Sequence, residues 1–524
     1  MAFNFLNRIC SQQPGVDVDD GLGTPVDEEE GDIDQESDRD LEENRDEIDS
    51  DLDLEDSDTD PEPLAGADGV FPWSDDLHDV EVGLFTSRTG PKIENFDLDH
   101  SSEPIEFFKL FIPDTFITTL ATQTNLYATQ QGAPASYKPV TEGELNIFLY
   151  INLMFGIHQL PSYLLYWSSD PLLHVPAVAS VMSRNRYQQI SRYFHLADSE
   201  AQPARNEPGF DPLYKIRPAI EQVEQACQTY YAPGCALAVD EAMIPFKGRL
   251  YFKQYIRNKP TPWGVKVWCC TESSTGYLTD FVFYTGKCDT PMPNGLGHHV
   301  VMSLTDRHLD KYHHVYMDNF FSSVTLARDL LNRSTYSCAT TRPNRRHWPA
   351  ELKGNLTVGQ CKWRQVGNIV ACVWRDKRII STISTTASPR LDQAVLKDIP
   401  VSILCYNNNM AGVDLNDQLR SYYPIGRKSH KWWQSCFWYL LEVAVLNAYK
   451  IYKTTARPPG SKVLSHFQFH LKLARSLCKE GGRKKAAAEA GVAVAGLANQ
   501  TPNAHRCVKL PGRKKQCYHS GRLG

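Results

Sequence analysis

Apolar residues change their spacing twice along this 524-residue chain. From Pro104 they recur at helical intervals. Glu106-Phe-Phe-Lys-Leu-Phe-Ile-Pro opens the run, and Leu145-Asn-Ile-Phe-Leu-Tyr-Ile-Asn-Leu-Met-Phe-Gly continues it. Thr141 and Glu144 stand at the spacing of a capping box just before that second stretch. Ser183–Leu196 and Pro212–Tyr230 repeat the pattern, so 104–233 reads as a helical domain. The spacing then shortens to that of strands. Ala236–Val239 is a short buried strand, and Trp263–Thr271 with Gly276–Tyr284 flank a Glu-Ser-Ser-Thr turn as a hairpin. His313–Met317 and Thr335–Thr340 are further strands on either side of a helix at Ser323–Leu331. Strands alternating with helices predict a mixed α/β sheet.

Gln360–Gln365, Ile369–Arg375 and Arg378–Ile383 are short strands between Gly-rich or charged turns, a β-rich insertion over 343–398. Val401–Tyr406 reads as a strand returning to the main sheet. Helices follow at Ala411–Ser421, Trp432–Tyr452 and Leu464–Lys479. Beyond Glu480 the Ala, Gly and basic composition predicts little order. The expected organisation is an acidic disordered arm over 1–103, the helical domain over 104–233, and an α/β core in two parts, 234–342 and 399–460. The insertion lies between those parts, and 461–524 is helical and then a basic tail.

Charge changes the picture next. The formal net charge is −7, but residues 17–60 hold 23 Asp and Glu against two Arg, leaving 53 basic and 39 acidic residues elsewhere. A basic body suits a polyanionic partner. The acidic arm either competes for that surface or serves as a solvated tail. The 14 cysteines show no Cys-x-x-Cys pairs, and no run of about 20 apolar residues predicts a membrane span. These features fit a reducing compartment and no membrane partner.

Four aspartates carry the candidate chemistry. Asp240 sits in Ala-Val-Asp-Glu-Ala-Met, Asp318 in Val-Tyr-Met-Asp-Asn-Phe-Phe, and Asp414 with Asp417 in Gly-Val-Asp-Leu-Asn-Asp-Gln. One Asp after a strand is commonly a turn or cap residue. Carboxylates delivered from two strand ends and a facing helix are what a two-magnesium phosphoryl-transfer site needs. Crowded carboxylates raise one another's pKa unless a cation neutralises them. Asp414 and Asp417 share a helical face, and only one of them need be a ligand. Glu241 points to the opposite face from Asp240 if the strand runs on through it.

These motifs resemble those of the piggyBac transposases and their domesticated derivatives. The matching residues are Val239-Asp-Glu241 with Pro245-Phe-Lys-Gly-Arg249, and Tyr255-Ile-Arg-Asn-Lys-Pro with Trp263-Gly-Val-Lys-Val. Met317-Asp-Asn-Phe-Phe-Ser-Ser323 and Tyr406-Asn407 through Met410-Ala-Gly-Val-Asp414-Leu-Asn-Asp417-Gln complete the set, over roughly Pro104 to Tyr452. The resemblance implies a ribonuclease H-like core split by an insertion. It implies a metal triad of Asp240, Asp318 and Asp414, with Asp417 as a fourth acid and Mg²⁺ (or Mn²⁺) as cofactor. It implies cleavage of double-stranded DNA at transposon ends through hairpins, joining at TTAA, a homodimer, and a nuclear location. The alternative it leaves open is a domesticated DNA- or chromatin-binding protein that no longer catalyses.

Basic clusters supply candidate DNA contacts. Arg249, Lys253, Arg257 and Lys259 follow the first Asp; Arg427, Lys428, Lys431 and Trp432 follow the third acidic motif. Cations hold phosphates and a tryptophan face stacks on an unpaired base, the role the resemblance implies for Trp432. Trp433 is expected in the core. At the C-terminus Cys507, Cys517 and His519, with His505, fall short of the family's cysteine-rich zinc domain. They offer at most one Zn²⁺ site, and nine residues separate the two cysteines.

Overall fold

The computed structural model of the chain describes residues 71–257, 259, 261–286, 292–392, 398–498, 506–508 and 516–518. Five helices longer than one turn come first: α1 (Pro104–Lys109), α2 (Asp114–Gln130), α3 (Glu142–Ile157), α4 (Arg184–Tyr193) and α5 (Arg217–Tyr230). The capping box at α3 forms, with Thr141 Oγ1 accepting from Glu144 N at 3.2 Å and Glu144 Oε2 accepting from Thr141 N at 3.2 Å.

A nine-stranded sheet follows: β1 (Ala236–Pro245), β2 (Gln254–Tyr255), β3 (Trp263–Glu272), β4 (Leu278–Phe283), β5 (His314–Met317), β6 (Tyr336–Thr340), β7 (Cys361–Val366), β8 (Ile369–Arg375) and β9 (Ile379–Ser384). β1 is central, antiparallel to β3 on one side and parallel to β5 on the other. β3 turns back antiparallel into β4, and β5 continues parallel into β6. An antiparallel hairpin on one flank of a central strand and parallel strands on the other is the ribonuclease H-like arrangement. The helices α6 (Gly295–Thr305) and α7 (Val324–Asn332) cover one face, with Val300, Val301, Leu326 and Leu330 in the same buried cluster as Leu237 and Val239. The opposite face, carrying Ala242 and Ile244, joins the core of the helical region.

The β-rich insertion is not a separate sheet. β9 pairs antiparallel with β6, so β7, β8 and β9 extend the main sheet. Val401–Tyr406 differs from the strand expected there: it belongs to α8 (Val401–Asn409). Pro400 stands at the entry with no N–H to offer a ladder, and Ser402, Ile403 and Tyr406 fall on one buried helical face.

The disorder expected over 1–103 is corrected at the C-terminal end of that range. Residues 71–92 lie against the core as an extended strap. Ser74 and Gln365 exchange backbone hydrogen bonds at 2.9 Å on the outer edge of β7, and Gly83 N donates to Tyr336 Oη at 2.6 Å. Gly90–Pro91 pairs with Tyr231–Ala232. The strap thus covers an exposed sheet edge.

Three more helices close the molecule: α9 (Gly412–Ser421), α10 (Trp432–Thr454) and α11 (His466–Ala498). The two polar interruptions of the apolar run Phe437–Tyr449 within α10, Glu442 and Asn447, are both used. Asn447 Nδ2 donates to Leu278 O at 2.9 Å and its Oδ1 accepts from Leu278 N at 3.1 Å, tying α10 to β4. Glu442 takes an arginine, described below. α11 runs past Glu480, against the composition-based expectation. The backbones of Gly481 and Gly143 approach so closely that a Cβ on either would sit 2.7 Å or less from the facing helix, and Lys484 Nζ pairs with Asp114 at 2.9 Å and Glu142 at 3.4 Å. No helix among the described residues is long and apolar enough to cross a membrane.

Candidate active site and DNA interface

The sheet register brings the first two aspartates together. Val239 stands beside Met317 in the β1–β5 ladder, so Asp240 and Asp318 follow side by side. Asp240 lies within β1, opposite Cys269 of β3, and its Oδ1 accepts from Glu241 N at 2.8 Å. Asp318 lies just beyond β5, with Oδ1 accepting from Phe320 N at 2.9 Å. Arg345 Nη2 holds the same turn by donating to the carbonyls of Asn319 at 2.9 Å and Phe320 at 2.7 Å, and Arg342 Nε donates to Asn319 Oδ1 at 3.2 Å.

Asp414 arrives from above the sheet, in the first turn of α9. Gly412 makes this possible. A Cβ there would meet Thr271 Oγ1 at 2.5 Å and the Ala238 Cβ at 3.0 Å, so only glycine lets the helix start so close to β1 and β3. Asn416 Nδ2 anchors the next turn to Gly276 O at 2.8 Å.

The electrostatics show how crowded the acids are. Burial, then the charges of Glu241 and Asp318, push the Asp240 carboxyl well above its ordinary range; Lys259 opposes them. Burial and the Glu241 charge push Asp318 up to about 6. Burial, and then Asp417 and Glu241 against the relief from Lys259, raise Asp414. Lys259 Nζ donates to Glu241 O at 3.0 Å and lies 3.4 Å from Glu241 Oε1. Burial works against its charge, but Asp240, Glu241, Asp414 and Asp417 together hold the ammonium above its usual range. Strand alternation directs Glu241 away from Asp240, yet its charge reaches three of the acids. Among the described residues no group of three or more His, Cys, Asp or Glu stands in a metal-holding arrangement.

Asp417 has a different partner. Arg420 Nη2 lies 2.5 Å from Asp417 Oδ1, while Nη1 pairs with Glu442 Oε2 at 2.8 Å, Nε donates to Asn416 Oδ1 at 3.0 Å, and the guanidinium lies 4.3 Å over the Tyr439 ring. This buried arginine bridges α9 to α10. It stands three residues past Asp417 on the same helical face, a spacing that marks it as a partner in the sequence.

The comparisons with known proteins fit this frame. The Transposase IS4 family model matches residues 103–449. The chain belongs to the piggyBac transposase family. It is 29% identical over 379 residues to human PiggyBac transposable element-derived protein 3, covering 68% of this chain and 62% of that protein. Human PiggyBac transposable element-derived protein 5 is 24% identical over 435 residues, 77% of this chain and 80% of that one. The chain thus spans about three fifths of the first relative's length. Among solved structures, a piggyBac transposase synaptic complex with hairpin DNA superposes with a TM-score of 0.69 at 26% identity, covering 82% of this chain and 90% of that one.

The basic residues that motif analysis assigns to DNA divide by environment. Arg249, Arg257 and Lys428 are exposed. Lys253 Nζ donates to Gly248 O at 2.9 Å and lies 5.1 Å over the Trp263 ring. Lys259 turns inward to the acids. Arg427 and Lys431 reach α4, where Arg427 Nη2 donates to Ser191 Oγ at 3.2 Å and Lys431 Nζ to Arg192 O at 3.2 Å. Trp432 is half-buried with its ring edge-on to Phe252 at 5.4 Å, whereas Trp433 is buried against Phe194 and His195. At the C-terminus Cys507 stands opposite Cys517 in a two-stranded ladder. His519 and His505 lie outside the described residues.

Proposed function

We propose that the chain is a metal-dependent DNA transposase that cleaves and joins strands at TTAA sites, with Asp240, Asp318 and Asp414 as its metal-binding and catalytic triad. The observation that carries this reading is the sheet register that sets Asp240 beside Asp318, with the helix bearing Asp414 seated on β1 and β3 and all three carboxyls raised above their ordinary range. Oxygen donors that repel one another suit a hard cation such as Mg²⁺, with Mn²⁺ as a substitute, and the Lys259 ammonium beside Glu241 is held charged by the same acids. When bound, such ions activate the attacking water or 3′-hydroxyl and stabilise the leaving oxygen of an in-line displacement.

The chain's own residues then have distinct tasks. The carboxylates of Asp240, Asp318 and Asp414 supply the negative charge and oxygen atoms. Arg342 and Arg345 position the Asp318 turn. Arg420 engages Asp417, which favours a positioning role for that acid over direct ligation. Arg249, Arg257 and Lys428, being exposed, are placed to take phosphates, and Trp432 to meet an unpaired base at a hairpin tip. No covalent protein–DNA intermediate is needed. A homodimer acting in the nucleus fits this family reading.

The test is incubation of the full chain with a mixed genomic fragment library and Mg²⁺, followed by sequencing of new ends. The reading predicts ends at TTAA that are absent with Asp240→Asn, Asp318→Asn or Asp414→Asn. Cleavage that survives all three substitutions would contradict it. A second reading is a domesticated DNA-binding protein without cleavage, with Zn²⁺ at Cys507, Cys517 and His519 at most. That reading predicts salt-dependent DNA binding with no new ends under any metal.

A further inference from the structure

The turn that carries Asp318 lies just past the sheet that aligns it. The ladders of β5 with β1 and with β6 both end at Met317, opposite Val239 and Ala339, so the backbone leaves the sheet at Asp318. Two arginines take over. Arg345 Nη2 donates to Asn319 O at 2.9 Å and to Phe320 O at 2.7 Å, and Arg342 Nε donates to Asn319 Oδ1 at 3.2 Å. Both stand in the loop that follows β6. That loop folds through two turns, closed by Arg345 N on Arg342 O at 3.1 Å and by Trp348 N on Arg345 O at 3.2 Å. Within the second turn His347 has a φ of 63°. A residue with a β-carbon keeps that left-handed conformation only where its surroundings impose it.

The strap is part of those surroundings. Trp73 Nε1 donates to His347 O at 2.9 Å. The Phe71 ring lies 4.9 Å from the His347 ring, and the Arg328 guanidinium stands 5.3 Å over Phe71. Phe71, Trp73 and Phe320 pack against the same buried cluster that holds Trp348. Behind this contact the strap is pinned to the sheet. Ser74 pairs with Gln365, His78 N donates to Gln365 Oε1 at 3.0 Å, and the Asn368 amide exchanges hydrogen bonds with the Glu81 backbone at 3.0 and 3.2 Å. Trp73 is thus presented to the loop from a fixed base.

We propose that Trp73 is a positioning residue for strand cleavage: through the His347 carbonyl and Arg345 it fixes the turn that carries Asp318. The inference rests on the reading of Asp318 as catalytic. A reacting carboxylate works only when the groups behind it hold its place, and a misplacement of about 1 Å costs on the order of 100-fold in rate. The Arg345 guanidinium gives the turn a direction, but only as firmly as its own loop is held. Trp73 suits that task, with a single donor on a rigid ring. The strap therefore serves the chemistry as well as the sheet edge, and it does so without touching DNA.

Hydrogen exchange and strand cleavage by the full chain test this, using the parent, Trp73→Phe and Asn368→Ala, each shown to be folded by its thermal transition. Trp73→Phe keeps a ring in place and deletes the donor; Trp73→Leu replaces it if it does not fold. Asn368→Ala loosens the strap at Glu81, away from the loop, and controls for strap stability. The backbone amides of 318–322 should exchange on the order of tenfold faster in Trp73→Phe and at the parental rate in Asn368→Ala. With Mg²⁺ and the genomic fragment library at saturation, Trp73→Phe should form new ends at TTAA about tenfold more slowly, with unchanged duplex affinity. Asn368→Ala should keep the parental rate. Parental exchange over 318–322 in folded Trp73→Phe, or equal acceleration in Asn368→Ala, would overturn the positioning role alone. If exchange quickens as expected but the parent forms no new ends, the reading of Asp318 as catalytic falls, and the catalytic purpose of the strap falls with it.

Discussion

At the scale of single residues, the acids are strained first by burial and then by neighbouring charge, that of Glu241 above all at Asp240 and Asp318. Asp318 is the most informative. Its carboxyl is pushed from an ordinary 3.8 up to about 6, by burial first and the Glu241 charge second. A folded value above the unfolded one means that the folded protein holds the proton more tightly. The resulting stabilisation is full below about pH 4 and is lost as pH rises through about 6. Asp318→Asn abolishes the titration. Thermal unfolding of the metal-free proteins should therefore show a difference that grows from pH 4 to pH 6, with the variant more stable by about 3 kcal/mol above that range. A constant difference across the range would mean that Asp318 is not strained. Asp240 and Asp318 stand out in the sequence because each follows a strand-like apolar run, and Asp414 because it opens a helix-like segment. The reach of Glu241 does not: alternation along a strand tells which face a side chain leaves from, but a charge acts through the poorly screened interior beyond that face. The inward course of Lys259 was equally hidden, since a lysine beside Arg249, Lys253 and Arg257 reads as one more phosphate contact.

Between elements, the decisive joint is the seating of α9 on β1 and β3. Gly412 permits the contact, and Gly412→Ala should cost about 2 kcal/mol by overpacking. The same change should weaken Mn²⁺ binding, because Asp414 rides on the displaced turn; an unchanged transition in chemical denaturation would show that the helix sits more loosely. The second joint is Arg420 between Asp417 and Glu442. Arg420→Met strands Glu442 in an apolar setting and should cost about 3 kcal/mol or more, whereas the double variant Arg420→Met with Glu442→Leu should recover much of the loss. Additive losses in that double-mutant cycle would contradict the bridge. Most strands and helices were legible from period alone, including the short β7, β8 and β9. Two were misread for physical reasons. Val401–Tyr406 has strand-like composition but is entered through Pro400 and buries residues at helical spacing. The extension of α11 depends on the glycine contact between Gly481 and Gly143, a tertiary fact that composition does not carry.

Across the whole molecule, the sheet is the organising frame. It continues unbroken from the hairpin β3–β4 to β7, and the strap at 71–92 covers its far edge. The β-rich segment was visible in the sequence as strands, but its continuity with the main sheet was not, because strand pairing is non-local. Charge is also arranged at this scale, with an acidic stretch at 17–60 and a basic remainder. If the acidic stretch competes with DNA, deleting residues 1–60 should tighten binding of a non-specific duplex at low salt, and the gain should fade as salt screens it. Equal binding by the two forms at low salt would identify the stretch as a solvated tail.

The central claim is that Asp240, Asp318 and Asp414 together hold divalent metal. Calorimetric titration of Mn²⁺ into the full chain at pH 8, in parallel with Asp318→Asn and with a TTAA-containing duplex present, tests it most directly. The account predicts saturable binding by the parent and none by the folded variant. Equal binding by both, or no binding by a folded parent with DNA present, would contradict it.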